Sequence, residues 1–272
     1  RMSGARSHSE RMKNEYVPEV IVANTLERHI QAVMYAMQGY MSSGKDEFLT
    51  ASIKEMGQVG KGLSEAQQLA EAFPGLVKLR EGLGAVKERM GEYEKLSAET
   101  KTRMVALRTA QNERTRVATR ILKRVEQFQK TAKTEFGEAL AGDDSGTRLL
   151  RQWDGIDQSD AILDSISAIR IKVLTGDARG DAKQYEEARG MFGTVKEAVA
   201  SLKAGTRDPS QQEALDGIAA GVADYEAAVA DQLKAAKALG ELNDRRNKVL
   251  ESVLEGVRGI AGAGTGNLVR LA

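Results

Sequence analysis

The chain has 272 residues, with 40 Lys+Arg against 39 Asp+Glu and a net charge of +1. Charges so evenly balanced give no electrostatic footprint for nucleic acid. The absence of cysteine excludes disulfides, thiolate metal sites and a thiol nucleophile.

Two histidines, His8 and His29, are too few for a His-rich metal centre, and a Ser-His-Asp triad is not expected. No glycine-rich phosphate loop is present. The chain therefore reads as a non-enzyme with no cofactor and no metal. Lack of cysteine suits an oxidising compartment. No run of about 18 apolar residues occurs, so nothing in the sequence as given spans a membrane. Aromatics are 4% and prolines number three, and long stretches are rich in Ala, Leu, Glu, Lys and Gln. That composition predicts an all-α chain.

Residues 1–17, which include "RMSGARSHSERM", read as a flexible N-terminal segment. Six helices follow. The first runs from about 18 to 42 and stops at "SSGKD"; the second runs from about 45 to 73 and stops at "FPG". The third runs from about 75 to 141 without a proline, to "AGDDSG". The fourth spans about 146–175, to "TGDARGD", and the fifth reaches about 204, to "AGTRDP". The sixth runs from about 209 to near the C-terminus. The pattern is short, short, long, twice over. A helix of about 65 residues measures roughly 100 Å, more than one globular core can cover.

The chain also repeats itself. A shift of 132 residues carries "GEYEK" at 91–95 onto "ADYEA" at 223–227. The same shift places Tyr93 on Tyr225, Leu107 on Leu239, Arg114 on Arg246 and Leu122 on Leu254, and it sets Gly44 on Gly176. Each short-short-long unit folds up, down and back, since short loops make sequential helices antiparallel neighbours. The expected architecture is two stacked antiparallel four-helix bundles inside one domain, residues 18–272. A membrane-proximal bundle takes about 18–107 and 240–270, and a membrane-distal bundle takes about 108–239.

The long helices carry heptad seams that break at equivalent places, Gln111/Arg114 and Asn243/Arg246. An arginine in a core position is costly unless paired. Either a carboxylate of the protein meets it, or the pocket awaits an external anion, for which guanidinium offers paired donors. In the proximal half, "LERHIQAVMYAMQGYM" sets Arg28, Gln31 and Tyr35 on one stripe, beside an apolar stripe carrying His29. In the distal half, Arg170 falls at roughly the height of Arg114. Asp160 is a candidate to neutralise an arginine. Trp153 reads as a core residue by its spacing with Leu149 and Ile156.

The phrases "YAMQGYMSSGKDEFLTASIKEMGQV" and "IRIKVLTGDARGDAKQYEEARGMF" share a Gly-Lys or Gly-Asp turn followed by an aromatic, Phe48 or Tyr185, opening the next helix. This layout, over about residues 18–265, resembles the helical bimodular sensor domain of methyl-accepting chemotaxis proteins and some sensor histidine kinases. The resemblance implies a periplasmic ligand-binding region of a membrane-anchored receptor, with a homodimer among its assemblies. It implies a small carboxylate or other anionic ligand, or docking of a periplasmic binding protein in its place. In the proximal bundle the residues that match are Arg28 on the first helix and Arg245 or Arg246 on the sixth. The candidate ligand residues are thus Arg28, Gln31, Tyr35, Asn243, Arg245 and Arg246 proximally, with Gln111, Arg114 and Arg170 distally. The usual second arginine of the first helix is absent here; His29 follows Arg28 instead.

Overall fold

A computed structural model describes residues 8–142 and 145–271. Among them the chain is helical throughout, without strands. The helices are α1 (Val17–Ser43), α2 (Asp46–Ala72), α3 (Val77–Ala141), α4 (Gly146–Arg179), α5 (Ala182–Gly190), α6 (Phe192–Gly205) and α7 (Pro209–Leu271). The expected fifth helix is thus two segments. They are separated at Met191, whose N–H turns back to the carbonyl of Ala188. Gly190 just before it weakens the helix there. Among the described residues no helix is long and apolar enough to cross a membrane.

The expectation of a flexible segment falls partly on residues 1–7, which lie outside the described residues. Residues 8–11 are helical, and Met12–Tyr16 form a π-helical turn in which the Val17 N–H reaches the Met12 carbonyl. Pro18 explains the wide turn. It brings no N–H, and its ring crowds the carbonyl one turn back, so the backbone opens rather than stops. Tyr16 is buried, and Arg11 donates to its hydroxyl at 2.5 Å while lying over its ring.

The chain divides into two compact units, one made of residues up to Met104 and from Gly240 onward, the other of Val105–Leu239. The division read from sequence was at 107/108 and 239/240. Both long helices serve both units. The core of the first unit joins Leu26, Ile30 and Val33 of α1, Val59 and Leu63 of α2, the α3 stretch from Leu79 to Leu96, and α7 from Leu242 to Ile260. The core of the second joins Ile121 and Val125 of α3, Ile166 and Ile169 of α4, Tyr185 and Phe192 at the starts of α5 and α6, and Leu215 to Leu233 of α7.

The duplication is visible in the buried faces, with one correction. Gly44 ends α1 in the left-handed conformation, φ 63°, and Gly180 ends α4 in the same conformation, φ 63°. Helix α4 runs on through Gly176 for another turn, so Gly180, not Gly176, is the counterpart of Gly44. Leu26, Ile30, Val33, Met37 and Tyr40 are buried on α1; Ile162, Ile166, Ile169, Val173 and Gly176 are buried on α4, each 136 positions later. The long helices keep the shift of 132. The difference is close to one helical turn.

Both units use a glycine to admit an aromatic from the next helix. A Cβ on Gly39 would lie 2.5 Å from the Phe48 ring, and one on Gly176 would lie 2.9 Å from the Tyr185 ring. No other residue leaves that space.

The first unit also buries an acid. Glu19 on α1 is 1% exposed, and its Oε2 has no hydrogen-bond partner. It sits where α7 comes close, since a Cβ on Gly264 would lie 3.0 Å from that oxygen. Burial pushes the Glu19 carboxyl up to about 7. Between the ordinary value of 4.5 and about 7, the folded chain holds a proton that the unfolded chain releases. Stability from this group therefore falls as pH rises through that window and is level above it. Melting temperature should fall from pH 5 to pH 8, and Glu19→Gln should flatten the fall. An unchanged slope would show that this carboxyl is not held out of water.

Candidate functional site

The seam arginines are the two most deeply buried cations in the described chain: Arg114 is 4% exposed and Arg246 is 2% exposed. Helix periodicity explains their placement. Arg114 lies between buried Met104 and buried Val117–Ala118 on α3, and Arg246 between Leu242 and Val249–Leu250 on α7. A guanidinium cannot escape burial by losing its proton, so its donors must find acceptors.

In the second unit they find a carboxylate. Arg114 Nη1 lies 2.9 Å from Asp177 Oδ2 and donates to Gln232 Oε1 at 2.6 Å. Arg114 Nη2 donates to Thr115 Oγ1 at 3.3 Å. The other Asp177 oxygen, Oδ1, accepts from Gln111 Nε2 at 3.1 Å, from the Tyr185 hydroxyl at 2.8 Å and from Gln232 Nε2. Six side chains from α3, α4, α5 and α7 thus form one network. Burial raises the Tyr185 phenol well above its ordinary range, and the Asp177 carboxylate raises it further. Tyr225 is nearby, pushed up to about 12 by burial and drawn back by Arg114 and Arg170.

The first unit differs. Arg246 Nη1 donates to Thr100 Oγ1 at 3.2 Å and Nη2 to Asn243 Oδ1 at 2.6 Å. Among the described residues no carboxylate forms an ion pair with it. Thr100 is the counterpart of Gln232 and accepts from the arginine as it does; Asn243 is the counterpart of Gln111 but accepts from the arginine, whereas Gln111 donates to Asp177. At the α1 counterpart of Asp177, 136 positions earlier, stands Met41. The cluster has spare capacity as well. Tyr93 Oη and Ser97 Oγ are buried without hydrogen-bond partners; Tyr225 Oη, the counterpart of Tyr93, is likewise unpartnered, so Ser97 is the addition particular to this unit. Tyr93, Ser97 and Thr100 share one face of α3 by their spacing. Burial pushes the Arg246 guanidinium below its ordinary value, opposed by Tyr93.

The remaining sequence candidates fall elsewhere. Arg28, Tyr35 and Arg245 are exposed, Tyr35 at 67%. Gln31 donates to Glu27 on its own helix, and Glu27 pairs with Arg258 of α7 at 2.7 Å. Arg170 is exposed on α4. Asp160 accepts from Gln129 rather than from an arginine. His29 Nδ1 lies 2.7 Å from Glu55 Oε2, which accounts for it as a partnered side chain. Trp153 is not a core residue: it is 58% exposed, with its ring 5.8 Å from that of Phe136. The helix start it occupies is covered on one side only.

Sequence reasoning missed Asp177 and Tyr185 as members of the arginine network. It also missed a cleft of about 600 Å³ in the second unit, lined by apolar Phe128, Ala132 and Leu202 and by charged Glu138, Arg151 and Asp154. No motif marks that cleft, because its walls come from three separated stretches.

No family model matches the chain, and no curated protein matches it.

The two arginines respond oppositely to removal. Arg114→Met strands Asp177 and should cost about 3 kcal/mol, as for a broken buried pair. Arg246→Met removes an uncompensated buried charge and should be neutral or stabilising by about 1 kcal/mol in buffer free of organic anions. Urea unfolding of the two variants gives the comparison. Equal losses would show that Arg246 is as fully paired as Arg114.

Proposed function

We propose that the chain is the extracytoplasmic sensor domain of a membrane-anchored chemoreceptor, with two stacked antiparallel four-helix bundles and no catalytic activity. The ligand is a small anion, such as an organic acid, bound among the helices of the first unit. The observation that supports this reading is Arg246, a guanidinium 2% exposed with no carboxylate partner among the described residues. Thr100 and Asn243 orient it, and the hydroxyls of Tyr93 and Ser97 are left to donate. An anion there would gain charge-assisted bonds that water cannot supply in a buried setting.

Binding would tie α3 to α7 and bias the small displacement of one helix against another that such receptors carry through the membrane. Resemblance to helical bimodular sensor domains agrees with a carboxylate ligand and a periplasmic location. The missing cysteine agrees with the location.

A second reading has its own support. Leu140, Leu150 and Trp153 are exposed large apolar residues of the second unit, at 56%, 72% and 58%. Such a surface suits docking of a partner protein, here a periplasmic binding protein in place of a small molecule.

Thermal unfolding against a panel of carboxylates, amino acids and inorganic anions tests the first reading. Ligand that binds only the native state raises the melting temperature by mass action, about 2.7 kcal/mol of stability at one hundred times the dissociation constant. One chemical class should give a shift, and Arg246→Met should abolish it while the fold persists. No shift across the panel moves the weight to the protein partner.

A further inference from the structure

We infer that Asp177 is a tethered occupant of an anion site in the second unit: the side chain fills, from within, the place that an external carboxylate takes in the first. The inference deepens the reading of Arg246 as an open site and rests on it for the identity of the open counterpart.

Three observations carry it. The first is equivalence. Arg114 and Gln232 stand 132 positions from Arg246 and Thr100 respectively, and in each unit the arginine donates to that partner across the two long helices. The cradle is therefore built twice. The long-helix halves share the arginine and its cross-helix acceptor, with Gln232 for Thr100 and Gln111 for Asn243; the short-helix half brings Asp177 where α1 has Met41 and Gly176 where α1 has Tyr40.

The second is local cost. Asp177 lies in the last turn of α4, which ends at Arg179. A carboxylate there faces the negative end of the helix dipole, and aspartate is a poor helix former. Nothing in α4 itself favours this residue at this place. Arg114, Gln111, Gln232 and Tyr185 do, as a ligand-binding shell would.

The third is saturation. Both Asp177 oxygens are coordinated, one by the guanidinium and the other by two amides and a phenol. Gly176 is what lets Tyr185 approach, since a Cβ there would lie 2.9 Å from its ring. A site so filled has no room for an external anion. The Arg114 site is closed to an external carboxylate for as long as Asp177 is present.

The test is chemical rescue in the whole chain. Asp177→Ala removes one carboxylate, and formate has the size and charge to replace it. Melting is followed by circular dichroism in sodium formate and in sodium chloride of equal ionic strength. Wild type, Asp177→Ala, Asp177→Asn and Asp177→Ala/Arg114→Met are compared. In chloride, Asp177→Ala should melt several degrees below wild type. Formate should recover at least half of that loss beyond any shift it gives wild type. Asp177→Asn keeps the site filled and should gain nothing extra, nor should the double variant. If Asp177→Ala is unfolded in chloride, recovery of helical signal in formate is the same readout.

Formate acting no better than chloride on Asp177→Ala would overturn the inference. So would equal rescue of Asp177→Asn, or rescue that survives the loss of Arg114. Wild type reports separately on Arg246. Rescue of Asp177→Ala without any wild-type response to carboxylates would sink the open-site reading while leaving the tethered occupant standing.

Discussion

A guanidinium placed in a helical core must be answered by acceptors, and that demand organises the polar part of both units. Arginine stays charged under all ordinary conditions, so burial cannot be relieved by titration. Each long helix brings one such residue into the seam, Arg114 or Arg246, among aliphatic neighbours. The surrounding side chains then follow from the need to spend its donors. Gln232 and Thr100 accept from the opposite long helix and Asn243 from the same one, while Gln111 donates instead to Asp177. The second unit completes the set with a carboxylate, and the first does not. The two copies of one helical plan thus differ in charge at one position of the cluster, Asp177 against Met41.

Most of the fold was legible in the sequence because its signals are local. Proline-free stretches of helix formers, the "FPG" and "TRDP" breaks and the heptad seams all concern residues a few positions apart. They locate the helices to within a few residues. The repeat located the two arginines and their amide companions for the same reason, since the long helices keep one unbroken register. Three things were not legible. Asp177 belongs to a short helix whose register is 136 rather than 132. Matching Gly44 to Gly176 therefore aligned it with Lys45, a position in the turn. Helical continuation before Pro18 depends on a π turn that no composition rule announces. Trp153 was assigned to the core on period alone, but a period says which residues share a face and not whether anything covers that face.

The candidate site was legible in part, and the split is instructive. Arg246, Asn243, Gln111 and Arg114 were identified because a polar break in an apolar seam is visible along one helix. Arg28 and Tyr35 were grouped with them by a shared stripe, Arg28 and Arg245 by the family resemblance and Arg170 by approximate height, and all four are exposed. Charge and height along a bundle do not fix azimuth. On α1 the residues two or three positions from Arg28, Leu26 and Ile30 among them, take the inward direction and turn the arginine out. Thr100 and Tyr93 lie on the buried face of α3, yet a hydroxyl there looks like ordinary packing until a buried cation is found beside it.

The glycine–aromatic contacts bear on how differently the two units are tied. In the second unit, Tyr185 is seated against Gly176 and bonded to Asp177, so the α4–α5 junction is linked by polar contacts to the seams of α3 and α7. In the first unit, Phe48 sits against Gly39 but carries no hydroxyl, and Met41 offers no charge. There the polar cluster of Arg246 involves the two long helices alone. Apolar packing is non-directional and holds most of α1 against them, with the Glu27–Arg258 pair at 2.7 Å as a hydrogen-bonded tie away from the Arg246 cluster's own contacts. On the proposed reading this is where a ligand has the most to contribute. A bound anion can bias a helix position only by interacting differently with its alternatives, and a network already saturated by its own aspartate leaves no such difference to exploit.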